Sequence, residues 1–322
     1  MPGNDRPTIV IPGDDPVQIA GSPHLDRLQN YGEIVLHRDR PRDDAEKLRR
    51  LADATVLINS RSAVKWPGLL LRQLSKLRFI TVVGIGTDSI DLNAARERRI
   101  VVSNIPGRTA DIVAEHALAL TLAVARRLSF QTAELRAGRW TNLDMVYLGG
   151  KTLGVVGTGA IGSRMIELGR AIGMQVIAWS FRPSAERTER LGVEFVSLDE
   201  LLGRSDVVSL HVKLTPQSRH LIGRREIGLM RPGAILVNTA RGLIVDTDAM
   251  VDALMSGHLG GAGLDVYDAE PLPPNHPILR CNQVVLTPHN ADQTPEGFDI
   301  LNGGAVDNVI AFLKGRPQNV VT

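Results

Sequence analysis

From Thr152 to Gly162 the chain reads Thr-Leu-Gly-Val-Val-Gly-Thr-Gly-Ala-Ile-Gly. Thr152–Val156 is an apolar run of strand length, and Ala160–Ile172 carries the spacing of a helix. The turn between them, Gly157 to Gly162, has the form G-x-G-x-x-G, weak on its own but specific when set between a strand and a helix. Gly157 permits a tight turn, Gly159 lets the backbone approach a pyrophosphate, and Gly162 lets the helix pack on the strand. The N–H groups around Ala160 and Ile161 would then face the phosphates at the positive end of the helix. Gly84-Ile-Gly86 and Gly260–Gly263 lack the third glycine and the helix start, so neither is read as a nucleotide site.

The same alternation extends in both directions. Upstream, Thr8–Pro12, Glu33–Leu36, Ala54–Ile58, Phe79–Val83 and Ile100–Ser103 are predicted as buried strands, with helices at Asp43–Leu51 and Pro67–Leu77. A long helix, Thr109–Leu128, and a polar arm, Thr132–Asn142, precede the glycine-rich turn. Downstream, strands are expected at Gln175–Trp179, Val193–Val196, Val207–Leu210, Ala234–Val237, Gly263–Val266 and Gln283–Leu286. Helices are expected at Leu198–Leu202, Thr247–Ser256 and Gly304–Lys314. The pattern predicts an α/β fold of two Rossmann-like parallel-sheet domains. The segments are 1–105, 106–291 and 292–322, the last being a helix that returns to the first domain.

A length of 322 residues suits two domains. With 43% apolar and 22% charged residues the composition is that of a soluble globular protein. A net charge of +2 gives no pull toward nucleic acid or an anionic membrane. The longest apolar run, Ala117–Ala125, falls far short of the ~20 residues that span a membrane. The start, Met1-Pro-Gly-Asn-Asp-Arg6, lacks the layout of a signal peptide, so a cytoplasmic location is expected. Cys281 is the only cysteine, which excludes an intrachain disulfide and a cysteine–zinc cluster, and no metal is expected.

An NAD site places Asp or Glu about 20 residues past the glycines, against the ribose 2′-OH. Here the strand ending at Trp179 runs into Ser180-Phe181-Arg182, with no carboxylate. A hydroxyl and a cation at Ser180 and Arg182 suit a 2′-phosphate, although Arg182 is equally readable as a solvated cation at a strand end. The cofactor is therefore expected to be NADP or NAD, with NADPH favoured.

Landmarks then follow one another along the chain: Gly84-Ile-Gly-Thr-Asp-Ser-Ile-Asp91, Val113-Ala-Glu-His116, Gly150–Gly162, Val237-Asn-Thr-Ala-Arg-Gly242, Gly263-Leu-Asp-Val-Tyr-Asp-Ala-Glu-Pro271 and Leu286-Thr-Pro-His289. In this order, over nearly the whole length, the chain resembles the D-isomer-specific 2-hydroxyacid dehydrogenase family. The resemblance implies a nucleotide-binding domain inserted into a substrate domain, an active site in the cleft, and catalytic roles for Arg241, Glu270 and His289. Elementary chemistry asks for the same residue types. Reducing a 2-oxo acid needs a proton donor near neutral pH, which histidine supplies. A neighbouring carboxylate orients the ring, and an arginine holds the substrate carboxylate and polarises the carbonyl.

The resemblance also places Asp265 near the nicotinamide carboxamide, Thr239 and Ala240 on the same wall, and His211 and Thr215 in a loop near the adenosine end. Lys213 stands where the family commonly has proline. Backbone N–H groups of Val83, Gly84 and Ile85 are implied to bind the substrate carboxylate, with Ser60, Arg61 and Ser62 toward its C3 substituent. Read without the resemblance, His211 is a packing histidine after a buried strand, Glu115–His116 is structural, and His276 is the nearest competitor of His289 in a proline-rich turn. The resemblance implies a homodimer through the nucleotide-binding domain; Trp140 is readable as part of its arm, although an aromatic in a polar segment is more often ordinary packing. The expected reaction is reduction of glyoxylate or hydroxypyruvate. A 3-phosphoglycerate dehydrogenase is the second reading, because Arg61 could bind a phosphate. A non-catalytic nucleotide-sensing corepressor comes last, since the chain keeps all three catalytic residue types.

Overall fold

A computed structural model describes residues 6–62 and 64–322, the side chain of Ser62 lying outside the described part. The chain begins β1 (Thr8–Ile11), β2 (Glu33–Leu36), α1 (Asp44–Arg50), β3 (Val56–Asn59), α2 (Gly68–Leu71), β4 (Phe79–Val82), α3 (Leu92–Glu97) and β5 (Val101–Ser103). It continues α4 (Ala110–Ala125), α5 (Leu128–Arg136), β6 (Thr152–Val156), α6 (Ala160–Ala171), β7 (Gln175–Trp179), α7 (Ala185–Leu191), β8 (Glu194–Phe195) and α8 (Leu198–Arg204). Then come β9 (Val207–Leu210), α9 (Arg224–Leu229), β10 (Ala234–Asn238), α10 (Thr247–Met255), β11 (Leu259–Leu264), β12 (Val284–Leu286) and α11 (Pro295–Leu313). Two compact units result, Met1–Thr109 with Gln293–Thr322, and Ala110–Asp292.

The first unit holds a five-stranded sheet in the order β2-β1-β3-β4-β5, all parallel, as the strand–helix alternation predicts. Strand order reverses between β1 and β3, so the residues past their carboxyl ends, Asp14 and Ser60–Arg61, stand where ligands gather in open α/β sheets. Ile9, Ile58 and Phe79 share a buried cluster with Leu301, Ala305, Val306 and Val309 of α11, and the Phe79 and Phe312 rings stack at 4.5 Å. This helix begins well before the predicted Gly304. Thr294 caps it by accepting the Gly297 N–H at 3.0 Å, and Pro295 fits its first turn. The predicted helix Pro67–Leu77 is only one turn long, yet Leu74 and Leu77 are still buried.

The second unit holds seven parallel strands in the order β12-β11-β10-β9-β6-β7-β8. Its switch point lies between β6 and β9, flanked by the turn from Gly157 and by His211. Strand β11 starts at Leu259 and ends at Leu264, where the sequence predicts Gly263–Val266. Its glycines let α4 lie close: a Cβ on Gly261 would stand 2.5 Å from Val124 Cγ1, and one on Gly263 2.9 Å from Leu120 Cβ. Asp265 is thereby the first residue past the strand. The long helix is broken at Arg127, which has φ +53°, and α5 takes up part of the predicted polar arm. Among the described residues no helix is long and apolar enough to cross a membrane.

Candidate active site

The glycines of the turn after β6 play different parts. Gly157 has φ +98°, and a Cβ there would lie 2.7 Å from the His211 carbonyl oxygen. On Gly162 it would come within 1.9 Å of the Gly157 carbonyl oxygen. The turn itself therefore requires both residues. Gly159 is unlike them, since its Cβ would meet nothing within 4 Å. It is also the N-cap of α6 and offers no side chain to the helix, so the first-turn N–H groups of Ala160, Ile161 and Gly162 are available to a ligand.

The Thr158 hydroxyl in this turn, His211 Nδ1 beside it and the Thr239 hydroxyl past β10 are buried without a hydrogen-bond partner among the described residues, a pattern that a bound ligand or water would complete. His211 Nε2 meets Ser209 Oγ at 2.8 Å. Loss of water around the ring pushes its pKa down to about 4, so the ring is neutral at neutral pH. Open space, unpaired hydroxyls and aligned N–H groups fit the pyrophosphate of a dinucleotide. Past β7, the Trp179 and Phe181 rings meet edge to face at 4.7 Å. The Arg182 N–H reaches Ser180 Oγ at 3.3 Å, and the Arg182 side chain is exposed. Thr215 is tied into its own turn through Ser218 Oγ at 2.7 Å.

His289 has φ +53°, a left-handed backbone that costs an L-residue roughly 1–2 kcal/mol. Such strain persists where surrounding bonds fix it, and Asp265, 1% exposed, supplies them. Its Oδ1 accepts from Thr287 Oγ1 at 2.6 Å and Asn290 N–H at 2.9 Å, and its Oδ2 from Ala291 N–H at 3.0 Å. Tyr267 Oη adds a bond to the Thr287 carbonyl at 3.0 Å. In this turn His289 Nδ1 lies 2.7 Å from Glu270 Oε2, while Glu270 Oε1 accepts the Tyr267 N–H at 3.0 Å. Burial alone would raise the Glu270 pKa. The hydrogen bond and charge of His289, the Tyr267 N–H and nearby Arg241 outweigh it and hold the carboxyl below its usual range. Glu270 is thus an anion at neutral pH, and it fixes a hydrogen on His289 Nδ1.

Arg241 is seated beside Glu270 by its neighbour. A Cβ on Gly242 would lie 2.0 Å from the Tyr267 carbonyl carbon, so only glycine lets the two loops touch this closely. Asn238 braces the loop, donating to the Arg241 carbonyl at 2.9 Å and accepting the Ala240 N–H at 3.0 Å. Arg241, Glu270 and His289 are thereby gathered within the second unit. His276 stands apart from that group in its hydrogen bonding: its Nδ1 accepts the Ile278 N–H at 3.2 Å and caps a short helical turn. Thr287 and Tyr267, which hold the His289 turn, were not singled out by the sequence. Thr287 lies inside the landmark ending at His289, the one signal that could have found it.

In the first unit, Ser60 Oγ donates to the buried Asp14 Oδ1 at 2.7 Å, and the same carboxylate accepts N–H groups of Gln18, Ile19 and Ala20. Arg61, with φ +50°, donates to Gln18 Oε1 at 3.2 Å. With the Gln293 amide turned oxygen-inward, the guanidinium donates to that oxygen as well. Val83 N–H donates to the Asn59 carbonyl at 3.1 Å and Gly84 N–H to the Val82 carbonyl at 3.0 Å. Two of the three backbone donors expected for a substrate carboxylate thus have partners within the chain. Along and after α5, Leu128, Leu135, Trp140, Met145 and Tyr147 are exposed.

Residues 118–291 match a family model described as D-isomer specific 2-hydroxyacid dehydrogenase, NAD binding domain. A glyoxylate reductase of Aeropyrum pernix is 44% identical over 262 residues, covering 78% of each chain. A D-3-phosphoglycerate dehydrogenase of Methanocaldococcus jannaschii is 37% identical over 298 residues, which is 91% of this chain but 56% of that one. The chain therefore spans about half the length of that relative. An acyclic imino acid reductase solved with NADPH and D-Arg superposes with a TM-score of 0.88 at 27% identity, covering 98% of this chain and 100% of the other. A match over more than half of the chain, on top of the ordered landmarks and the glycine turn, leaves one conclusion: this protein belongs to the D-isomer-specific 2-hydroxyacid dehydrogenase family, oxidoreductases that work with a nicotinamide cofactor.

Proposed function

We propose that the protein reduces small 2-oxo acids, glyoxylate and hydroxypyruvate first, to their D-2-hydroxy acids, with His289 as the proton donor. The observation that carries this reading is the 2.7 Å contact of His289 Nδ1 with Glu270 Oε2. With the Nδ1 hydrogen committed to an anion, Nε2 is the nitrogen that passes a proton to the carbonyl oxygen. Arg241 holds the substrate carboxylate in bidentate fashion and polarises the carbonyl. When bound, the nicotinamide cofactor supplies the hydride. On the substrate side, Ser60, Arg61, Val83, Gly84 and Ile85 complete the proposal. Because the Val83 and Gly84 N–H groups have partners, the carboxylate contact leans on the Ile85 N–H. The 3-phosphoglycerate dehydrogenase reading is supported by Arg61, tethered beside Ser60, and by the 37% identical relative.

Rates of NADH and NADPH oxidation against glyoxylate, hydroxypyruvate, pyruvate and 3-phosphohydroxypyruvate test this directly. The two small acids are expected to give the highest kcat/KM. A value for 3-phosphohydroxypyruvate well above both, abolished by Arg61→Ala, reverses the order. Oxidation with none of the four overturns the reading.

Gly157, Gly159, Ala160, Ile161 and Gly162 hold the pyrophosphate in this proposal. His211 and Thr215 serve the adenosine end, and Thr239, Ala240 and Asp265 the nicotinamide end. Ser180 and Arg182 take a 2′-phosphate, so NADPH is accepted at least as well as NADH. Ser180→Asp is expected to swing the preference to NADH by repelling that phosphate. A wild type that strongly prefers NADH, with NADPH use unchanged by Arg182→Ala, would sink the assignment. The protein is proposed to be a cytoplasmic homodimer through the unit that holds the glycine turn. The exposed apolar side chains along α5 support that arrangement.

A further inference from the structure

We propose that His116 is a positioning residue for this reaction, holding the strained turn of His289 through the Thr287 hydroxyl. The inference rests on His289 being the proton donor. Thr287 Oγ1 stands between two partners, donating to Asp265 Oδ1 at 2.6 Å and lying 2.9 Å from His116 Nε2. A threonine hydroxyl has a single hydrogen. The Asp265 carboxylate, which also accepts the Asn290 and Ala291 N–H groups, takes it. His116 Nε2 must therefore carry the hydrogen of its own contact, and the bonds run in one direction, from His116 N–H to Thr287 O–H to Asp265. The 3.7 Å separation of His116 Nε2 and Asp265 Oδ1 reinforces that direction.

The geometry gives this chain a purpose. Asp265 grips the turn on both sides of His289, by backbone N–H groups after it and by a side chain before it. The Thr287 grip is the weaker one, because rotation about a single side-chain bond would release it. His116 closes off that rotation by engaging the same oxygen from α4. That helix lies close on β11 at Gly261 and Gly263, so it is a fixed reference for the turn. Glu115–His116 reads from the sequence as structural, and the contact with Thr287 assigns the histidine a more particular duty.

The test compares His116→Leu and Thr287→Val with His116→Gln and Thr287→Ser, each alone, and places His116→Leu in a His289→Ala background. The first pair removes the N–H or the hydroxyl, and is expected to lower kcat by about tenfold or more through misplacement of His289, with substrate KM and cofactor affinity moved by less than about twofold. The conservative pair keeps a donor or a hydroxyl and recovers most of the loss. Combined with His289→Ala, His116→Leu should cost nothing further, since it acts only through that residue. Should His116→Leu fail to fold, Thr287→Val, close in shape to the original, carries the same test. Near-normal kcat in His116→Leu and Thr287→Val, beside a disabled His289→Ala, overturns the positioning role and leaves the proposed function standing. An equal loss with and without His289 likewise overturns it. A fully active His289→Ala defeats the proposed function instead.

Discussion

A histidine that hands over a proton works best with one nitrogen committed and its ring held still. His289 meets both conditions, through Glu270 and through the Asp265 bonds on either side of it. His289→Ala is therefore expected to cut turnover by about 10²-fold or more while NADH binding, followed by fluorescence, stays near wild type. Near-normal turnover would move the proton donor elsewhere, with His276 the first suspect, although its Nδ1 accepts the Ile278 N–H and so, unlike that of His289, has no hydrogen to commit to a carboxylate. Arg241, Glu270 and His289 were legible in the sequence because each lies in a landmark with its own local pattern. Their supports His116, Asp265 and Thr287 lie in landmarks as well, but the contacts that join them were not legible. His116 and Thr287 are 171 positions apart, and no spacing rule links a helix residue to a loop that distant.

At the scale of elements, two glycines of one turn separate binding from folding. A methyl on Gly162 would collide with the Gly157 carbonyl oxygen at 1.9 Å, whereas a methyl on Gly159 meets only open space. Gly162→Ala should lower Tm and weaken cofactor binding together. Gly159→Ala should leave Tm unchanged and still weaken the cofactor, because its methyl would occupy the pyrophosphate's approach. Thermal melts with cofactor titrations check both, and a Gly159→Ala variant with unaltered affinity would place the phosphates elsewhere. Most strands were legible to within a residue or two from their apolar runs. Strand β11 was misread because its glycines resemble a loop, and their causes, the close approach of α4 at Gly261 and Gly263 and of the Gly233 backbone at Gly260, are tertiary. The early start of α11 was written in Thr294-Pro295 but masked by Gly297, Gly303 and Gly304, which weaken the helical pattern.

Across the molecule, the first unit carries an acid-sensitive brace. Glu46, with a side chain 8% exposed, accepts the Arg42 N–H and Nε at 2.9 Å and Arg50 Nη2 at 2.9 Å. The Arg42 N–H, the Arg42 guanidinium and Arg50 hold its pKa down at about 2, against an ordinary 4.5. Arg50 in turn donates to the carbonyls of Pro12 and Asp39, past the ends of β1 and β2. A folded pKa below the unfolded one means that the stabilisation is complete above pH 4.5 and fades as pH falls toward 2. Glu46→Gln should therefore melt below wild type at pH 7, with the gap closing through that acid window. A gap independent of pH would show that packing, and not charge, is at stake.

The returning helix also dictates an order of assembly on the ribosome. The second unit is one continuous segment and has all of its residues once Asp292 emerges. The first unit is interrupted, and Ile9, Ile58 and Phe79 share their buried cluster with Leu301, Ala305, Val306 and Val309. Those apolar side chains are synthesised early and wait through the whole making of the other unit before their cover arrives. The amino-terminal sheet is thus the part of the nascent chain that stays open to aggregation and to chaperones for the longest time.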